Sequence, residues 1–73
     1  MLMKANKFVV SNLKDPSRID EIKHSIHSHQ GINAVRVDME ASTVTVDYDE
    51  ERYSEGDIKN FVSSLGLNVI QVK

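Results

Sequence analysis

Two runs of period-two hydrophobicity, set close together, constrain this chain more than any other feature. Ile32 to Met39 puts Val35, Val37 and Met39 on one side, and Ser42 to Tyr48 does the same with Val44, Val46 and Tyr48. Successive side chains of a strand point to opposite faces, so each run reads as a strand with one buried face. The link Glu40-Ala41 is too short for anything but a hairpin. The apolar face of that hairpin requires a covering layer.

The flanking segments supply the layer and two more strands. Lys7 to Ser11 is β-branched and weakly alternating, a first strand with Phe8 and Val10 inward. Asp15-Pro16 then opens a helix, since Asp caps well and Pro is favoured at the first helical position. Ser17 with Asp20 is a competing start, a weak capping box. Ile19, Ile22 and Ile26 form one stripe, the helix runs to about His29, and Gly31 ends it in the left-handed conformation. After the polar connection Asp49 to Arg52, Ser54 caps a second helix with Asp57 at N3, and Tyr53 packs on Ile58 as a staple. Ile58, Phe61, Val62 and Leu65 complete its stripe, Gly66 ends it, and Leu67 to Val72 is the last strand. The order β-α-β-β-α-β predicts a ferredoxin-like α+β fold, with two helices on one face of a four-stranded antiparallel sheet. The other face should show Lys7, Val9, Ser11, Arg36, Asp38, Thr43, Thr45 and Asp47. Pairing of the last strand with the first would bring Val9 near Ile70 and Val72, an apolar patch suited to a homodimer or a protein partner.

At 73 residues the chain reads as a single domain over 1–73, with an ordered core from about 7 to 72. It has no cysteine, so neither a disulfide nor a thiolate metal site is available. A formal charge of −2 gives no prior for nucleic acid. No segment has the length of a membrane-spanning helix, and Met1-Leu2-Met3-Lys4 is not followed by a signal-peptide h-region, so the expected compartment is the cytoplasm. RNA recognition on this fold needs aromatic residues on the central strands, and only Tyr48 qualifies. The first loop lacks the glycines of an acylphosphatase-like phosphate cradle, and no Ser-His-Asp or paired-carboxylate arrangement stands out. The chain reads as a non-enzyme with no resident cofactor.

Three groups of residues carry possible chemistry. The loop Asn12 to Arg18 precedes a helix N-terminus, whose amides favour anionic groups. His24, His27 and His29 include an i, i+3 pair that could share a transition-metal ion, although near a helix C-terminus histidines are also favoured electrostatically. His29 also suits the edge of the core. Asp47, Asp49, Glu50, Glu51, Glu55 and Asp57 cluster around the second helix start. They do not form an EF-hand, because Arg52 and Ile58 occupy its glycine and glutamate positions. Such a cluster suits a solvated link or docking to a basic partner, with Lys14, Arg18 and Lys23 as an opposite pole.

In its framework the chain resembles the heavy-metal-associated domains of the copper-chaperone family. Gly31-Ile32-Asn33-Ala34-Val35-Arg36-Val37-Asp38 follows that family's Gly-Val-x-x-Val-x-Val-Asp pattern. The likeness extends from Phe8 to Val69, through Thr43 to Asp49, Ser54, Ile58 and Leu65-Gly66. The family holds soft metals with Gly-Met-x-Cys-x-x-Cys in the first loop. Counting back from Gly31, the resemblance sets Asn12 at the glycine, Leu13 at the methionine, and Asp15 and Arg18 at the two cysteines. Leu67 stands where bacterial members often carry tyrosine. Leu13 keeps an apolar plug, Asp15 can cap the helix, and Arg18 has no lone pair for a metal. An Asp15–Arg18 ion pair is expected. The resemblance thus implies a protein-interaction or regulatory module without the family's ligands, working through Leu13, Lys14, Asp15, Arg18 and Leu67 or through Val9, Ile70 and Val72. The alternative is a carrier that binds a transition-metal ion weakly through Asp15, His24, His27, His29 and the thioethers of Met1 and Met3. An ACT-like small-molecule sensor shares the topology and is a further alternative.

Overall fold

The computed structural model describes residues 2–73. Strand β1 (Met3–Val10) leads through a 3-10 turn (Pro16–Arg18) into helix α1 (Ile19–His27). Strands β2 (Ile32–Asp38) and β3 (Thr43–Asp49), helix α2 (Glu55–Ser63) and strand β4 (Val69–Val72) follow. The antiparallel sheet has the order β2-β3-β1-β4, which is the ferredoxin-like arrangement. Phe8, Val10, Val44, Val46 and Tyr48 meet Ile22 and Ile26 of α1 and Ile58 and Val62 of α2 in one fully buried core.

Several boundaries differ from the sequence-based expectation. β1 starts at Met3 rather than Lys7, because the backbone pairs with β3 from Met3↔Asp49 to Val9↔Thr43. The polar Asn6 at an inward position disguises this part of the strand. There Asn6 is 5% exposed; it accepts from the Tyr48 hydroxyl at 2.5 Å and donates through Nδ2 to Glu55 Oε1 at 3.0 Å. α1 stops at His27, two residues early, with Ser28 as C-cap and Gly31 at φ 95°. The hairpin connection spans residues 39–42 rather than two residues. Asp38 Oδ1 accepts from the Ala41 amide at 3.1 Å, and Ser42 takes the left-handed turn at φ 57°. Ser42 is tied to β1 in both directions, its hydroxyl donating to the Val10 carbonyl and its own carbonyl accepting from the Val10 amide at 3.0 Å. α2 begins with the full Ser54–Asp57 capping box, while the Tyr53 and Phe61 rings pack in a T-shape with centroids 5.3 Å apart.

The open face is also modified. β4 begins at Val69, and its register with β1 shifts by one residue between Val9 and Val10. The bulge reverses the alternation of the strand, so Val72 lies opposite Phe8 and packs against the core. Val9 faces Gln71 instead. Of the expected patch, half-buried Val9 and Ile70, 61% exposed, remain on the outside. Thr43, flanked by Val9 and Asp38 on the neighbouring strands, is covered at 6% exposure.

Candidate functional site

The chain from Ser11 to Arg18 crosses one end of the sheet and meets the turn between α2 and β4. Four hydrogen bonds tie Ser11 and Asn12 to Gly66 and Asn68: Ser11 N to Asn68 O at 3.0 Å, Asn12 Nδ2 to Gly66 O, Asn68 N to Asn12 Oδ1 and Asn68 Nδ2 to Ser11 Oγ, the last three at 2.8 Å. Beneath this clamp Leu13 and Leu67 are buried at 5% and 2% exposure. They plug the end of the core, while Lys14 and Asp15 stand in solvent.

Asp15 caps the 3-10 turn. Its Oδ1 accepts from the Ser17 amide at 2.9 Å and the Ser17 hydroxyl at 2.7 Å. The Ser17 hydroxyl, then the Ser17 amide, hold the carboxyl below its ordinary range, with a smaller contribution from the Arg18 charge. Ser17 therefore serves Asp15 and does not start the helix. Arg18 does not make the expected ion pair with Asp15. Its Nε donates to Glu21 Oε2 at 3.0 Å and its Nη2 to the Leu65 carbonyl at 2.8 Å. Leu65 lies just past the end of α2, where carbonyls lack helical partners and the helix dipole is negative. The guanidinium thus fastens the start of α1 to the end of α2.

The histidines do not converge. His24 and His27 are exposed on α1, whereas His29 stacks on Phe61 with ring centroids 3.9 Å apart and planes at 16°. The His29 Nδ1 lies 3.1 Å from the Ile26 carbonyl. Among the described residues, no three His, Cys, Asp or Glu side chains gather as a metal site. Met3 begins β1, at the opposite end of that strand from the loop, and Met1 lies outside the described residues. The acidic cluster is largely engaged locally. Asp47 pairs with Arg36, Asp49 Oδ1 accepts from the Glu51 amide, Glu55 holds Asn6, and Asp57 completes the α2 cap.

These features define a ferredoxin-like domain with a stapled first loop and a charged rim. The chain belongs to the heavy-metal-associated domain family, whose pattern it matches over residues 7–67. It also resembles solved structures of that kind. Oxidized MerP from Ralstonia metallidurans CH34 superposes with a TM-score of 0.85 at 18% identity, covering 99% of each chain. A putative copper-ion-binding protein from Bacillus anthracis str. Ames gives 0.83 at 22% identity, covering 94% of this chain and 97% of that one. The N-terminal domain of a potential copper-translocating P-type ATPase from Bacillus subtilis, in the Cu(I)-loaded state, gives 0.80 at 22% identity, covering 99% and 86%. At such identities the likeness is one of fold. Among curated protein sequences, none matches significantly.

The residues present do not fit a thiophilic ion. No cysteine exists, the carboxylate at the first ligand position is hydrogen-bonded into its own turn, and a cation occupies the second. Sequence reasoning located Asp15 and Arg18 but missed their partners Ser17 and Leu65, as well as the Asn12–Asn68 clamp. Asn12 and Asn68 are 56 positions apart, so no local pattern links them.

Proposed function

We propose that this chain is a non-enzymatic, cytoplasmic member of the heavy-metal-associated family that does not carry soft metals and serves as a protein-interaction or regulatory module. The observation that supports this most is Arg18, whose guanidinium stands at the second ligand position and bonds the Leu65 carbonyl. A positive charge there repels a metal cation and keeps the loop closed without one. The exposed Lys14 and Asp15, above the Leu13–Leu67 plug, then offer a rigid polar tip for a protein partner. No described helix is long and apolar enough to cross a membrane.

Backbone amide shifts recorded during titration with Cu(I), Zn²⁺ and Ni²⁺ test this reading. Residues 12–18 should stay in place, with only nonspecific broadening at the exposed His24 and His27. Saturable, tight shifts at residues 12–18 or at the histidines would reinstate a carrier that uses Asp15, His24, His27, His29 or Met3.

A further inference from the structure

The two edges of the sheet are unequal. β4 has four residues and a bulge in its pairing with β1, features that blunt an edge against further pairing. β2 is longer, with seven residues; its own register with β3 shifts once, between Ile32 and Ala34, but is unbroken from Ala34 to Asp38, and no described strand lies outside it. Its outward N–H and C=O groups are a template for one more strand.

The side chains of that edge complement themselves. Arg36 and Asp38 are exposed on the open face, while Val35, Val37 and Met39 turn toward the core. An antiparallel second copy centred on Val37 sets Arg36 against the partner's Asp38 and Asp38 against the partner's Arg36. On the other face Val37 meets its own counterpart, and Val35 meets the partner's Met39, the first residue past the end of β2. Opposite charges on one face and aliphatic pairs on the other both stabilise strand pairing. The charged groups retain capacity. Arg36 reaches Asp47 through Nη1 and Nη2 at 3.3 and 3.2 Å, which leaves its Nε, and Asp38 uses only Oδ1 for the Ala41 amide. Val37 and Met39 are only partly buried, so a strand laid beside them removes apolar surface that the single chain leaves half open.

We propose that this chain forms a two-fold homodimer through β2–β2 pairing, which makes one continuous sheet. The assembly closes, because the edges it leaves free are the blunted β4 strands. This surface is distinct from the first loop, so the dimer and the loss of metal transport stand or fall separately.

Sedimentation velocity over a concentration series tests the dimer, with circular dichroism confirming that each variant is folded. The native chain should dimerise as concentration rises. Arg36→Asp and Asp38→Arg should each stay monomeric where the native chain is dimeric, since each sets like charges opposite one another. An equimolar mixture of the two should recover the dimer, because an all-acidic strand then meets an all-basic one. A native chain that stays monomeric up to about 1 mM, some 4 kcal/mol of association at most, overturns the proposal. So does a dimer indifferent to both substitutions, or a mixture that stays monomeric.

Discussion

Replacing Asn6 by leucine should be among the most damaging single changes outside the apolar core. Asn6 sits on an inward position of β1 at 5% exposure, with its carbonyl oxygen accepting from the hydroxyl of Tyr48, a residue that is itself 1% exposed. Leucine has nearly the same shape but no acceptor, so the change leaves the Tyr48 hydroxyl buried and unpaired. A buried group stranded in this way costs about 1–3 kcal/mol. The lost bond to Glu55 adds little, because that carboxylate is exposed and regains water. Against a total stability of roughly 4–11 kcal/mol for a chain of this size, a loss near 2 kcal/mol is large. Thermal unfolding should fall by about 8–16 °C. The decisive measurement is the cycle with Tyr48→Phe. That variant alone strands the Asn6 oxygen and should cost a similar amount, but the pair removes donor and acceptor together. Asn6→Leu/Tyr48→Phe should therefore be much less destabilised than the sum of the two, with a coupling of about 1–3 kcal/mol in urea unfolding. Strict additivity within about 0.5 kcal/mol would refute the reasoning, since it would mean that neither group depends on the other.

Three further outcomes follow from the site and its surroundings. Arg18→Met keeps the aliphatic stem but loses the bond to Leu65; with the side chain 34% exposed, the cost should be about 1 kcal/mol, read as faster amide exchange over residues 63–68. Burial, then the charges of Glu55 and Glu50, hold the Tyr48 phenol protonated above its usual value. The unfolded phenol ionises near pH 10, so this contribution is complete below that pH and lost above it; the stability gap between the native chain and Tyr48→Phe should narrow as pH rises past about 10. Asp15 has the opposite sign. Its carboxyl is held below the unfolded value, so its contribution is present above about pH 4 and is lost as pH falls through the folded value; Asp15→Asn should flatten that part of the acid-unfolding curve.

The fold was legible because its signals are local. Val44, Val46 and Tyr48 at every second position, the Ser54–Asp57 capping box, and Gly31 and Gly66 at helix ends each state their conformation within a few residues. The misplaced features depend on neighbours distant in sequence. Asn6 looks like a solvent-facing residue before a strand until Tyr48 and Glu55 are brought to it. The side of the sheet that Val72 faces is decided by one extra residue in β4, which no alternation count within a four-residue strand can reveal. The candidate site divides in the same way. The positions of Asp15 and Arg18 follow from their distance to Gly31, but the role of Arg18 depends on a carbonyl 47 residues away.

That role explains how the loop is held in place without thiolates. A thiolate at the start of α1 would draw on the positive end of a helix dipole, and Asp15 draws on the same amides through Ser17. The second position solves a different problem. A neutral replacement would leave the Leu65 carbonyl, at the negative end of α2, to solvent alone. The guanidinium satisfies that carbonyl while Glu21, in the first turn of α1, balances its charge. Together with the Asn12–Asn68 clamp, it links the first loop, α1 and the end of α2 directly, where a bound ion would have had to connect the loop to α1. Restoring cysteine at Arg18 alone would therefore remove a fastening before it supplied a ligand. On the proposed reading, the charge at position 18, more than the missing thiol at position 15, is what sets this loop apart from a metal carrier's.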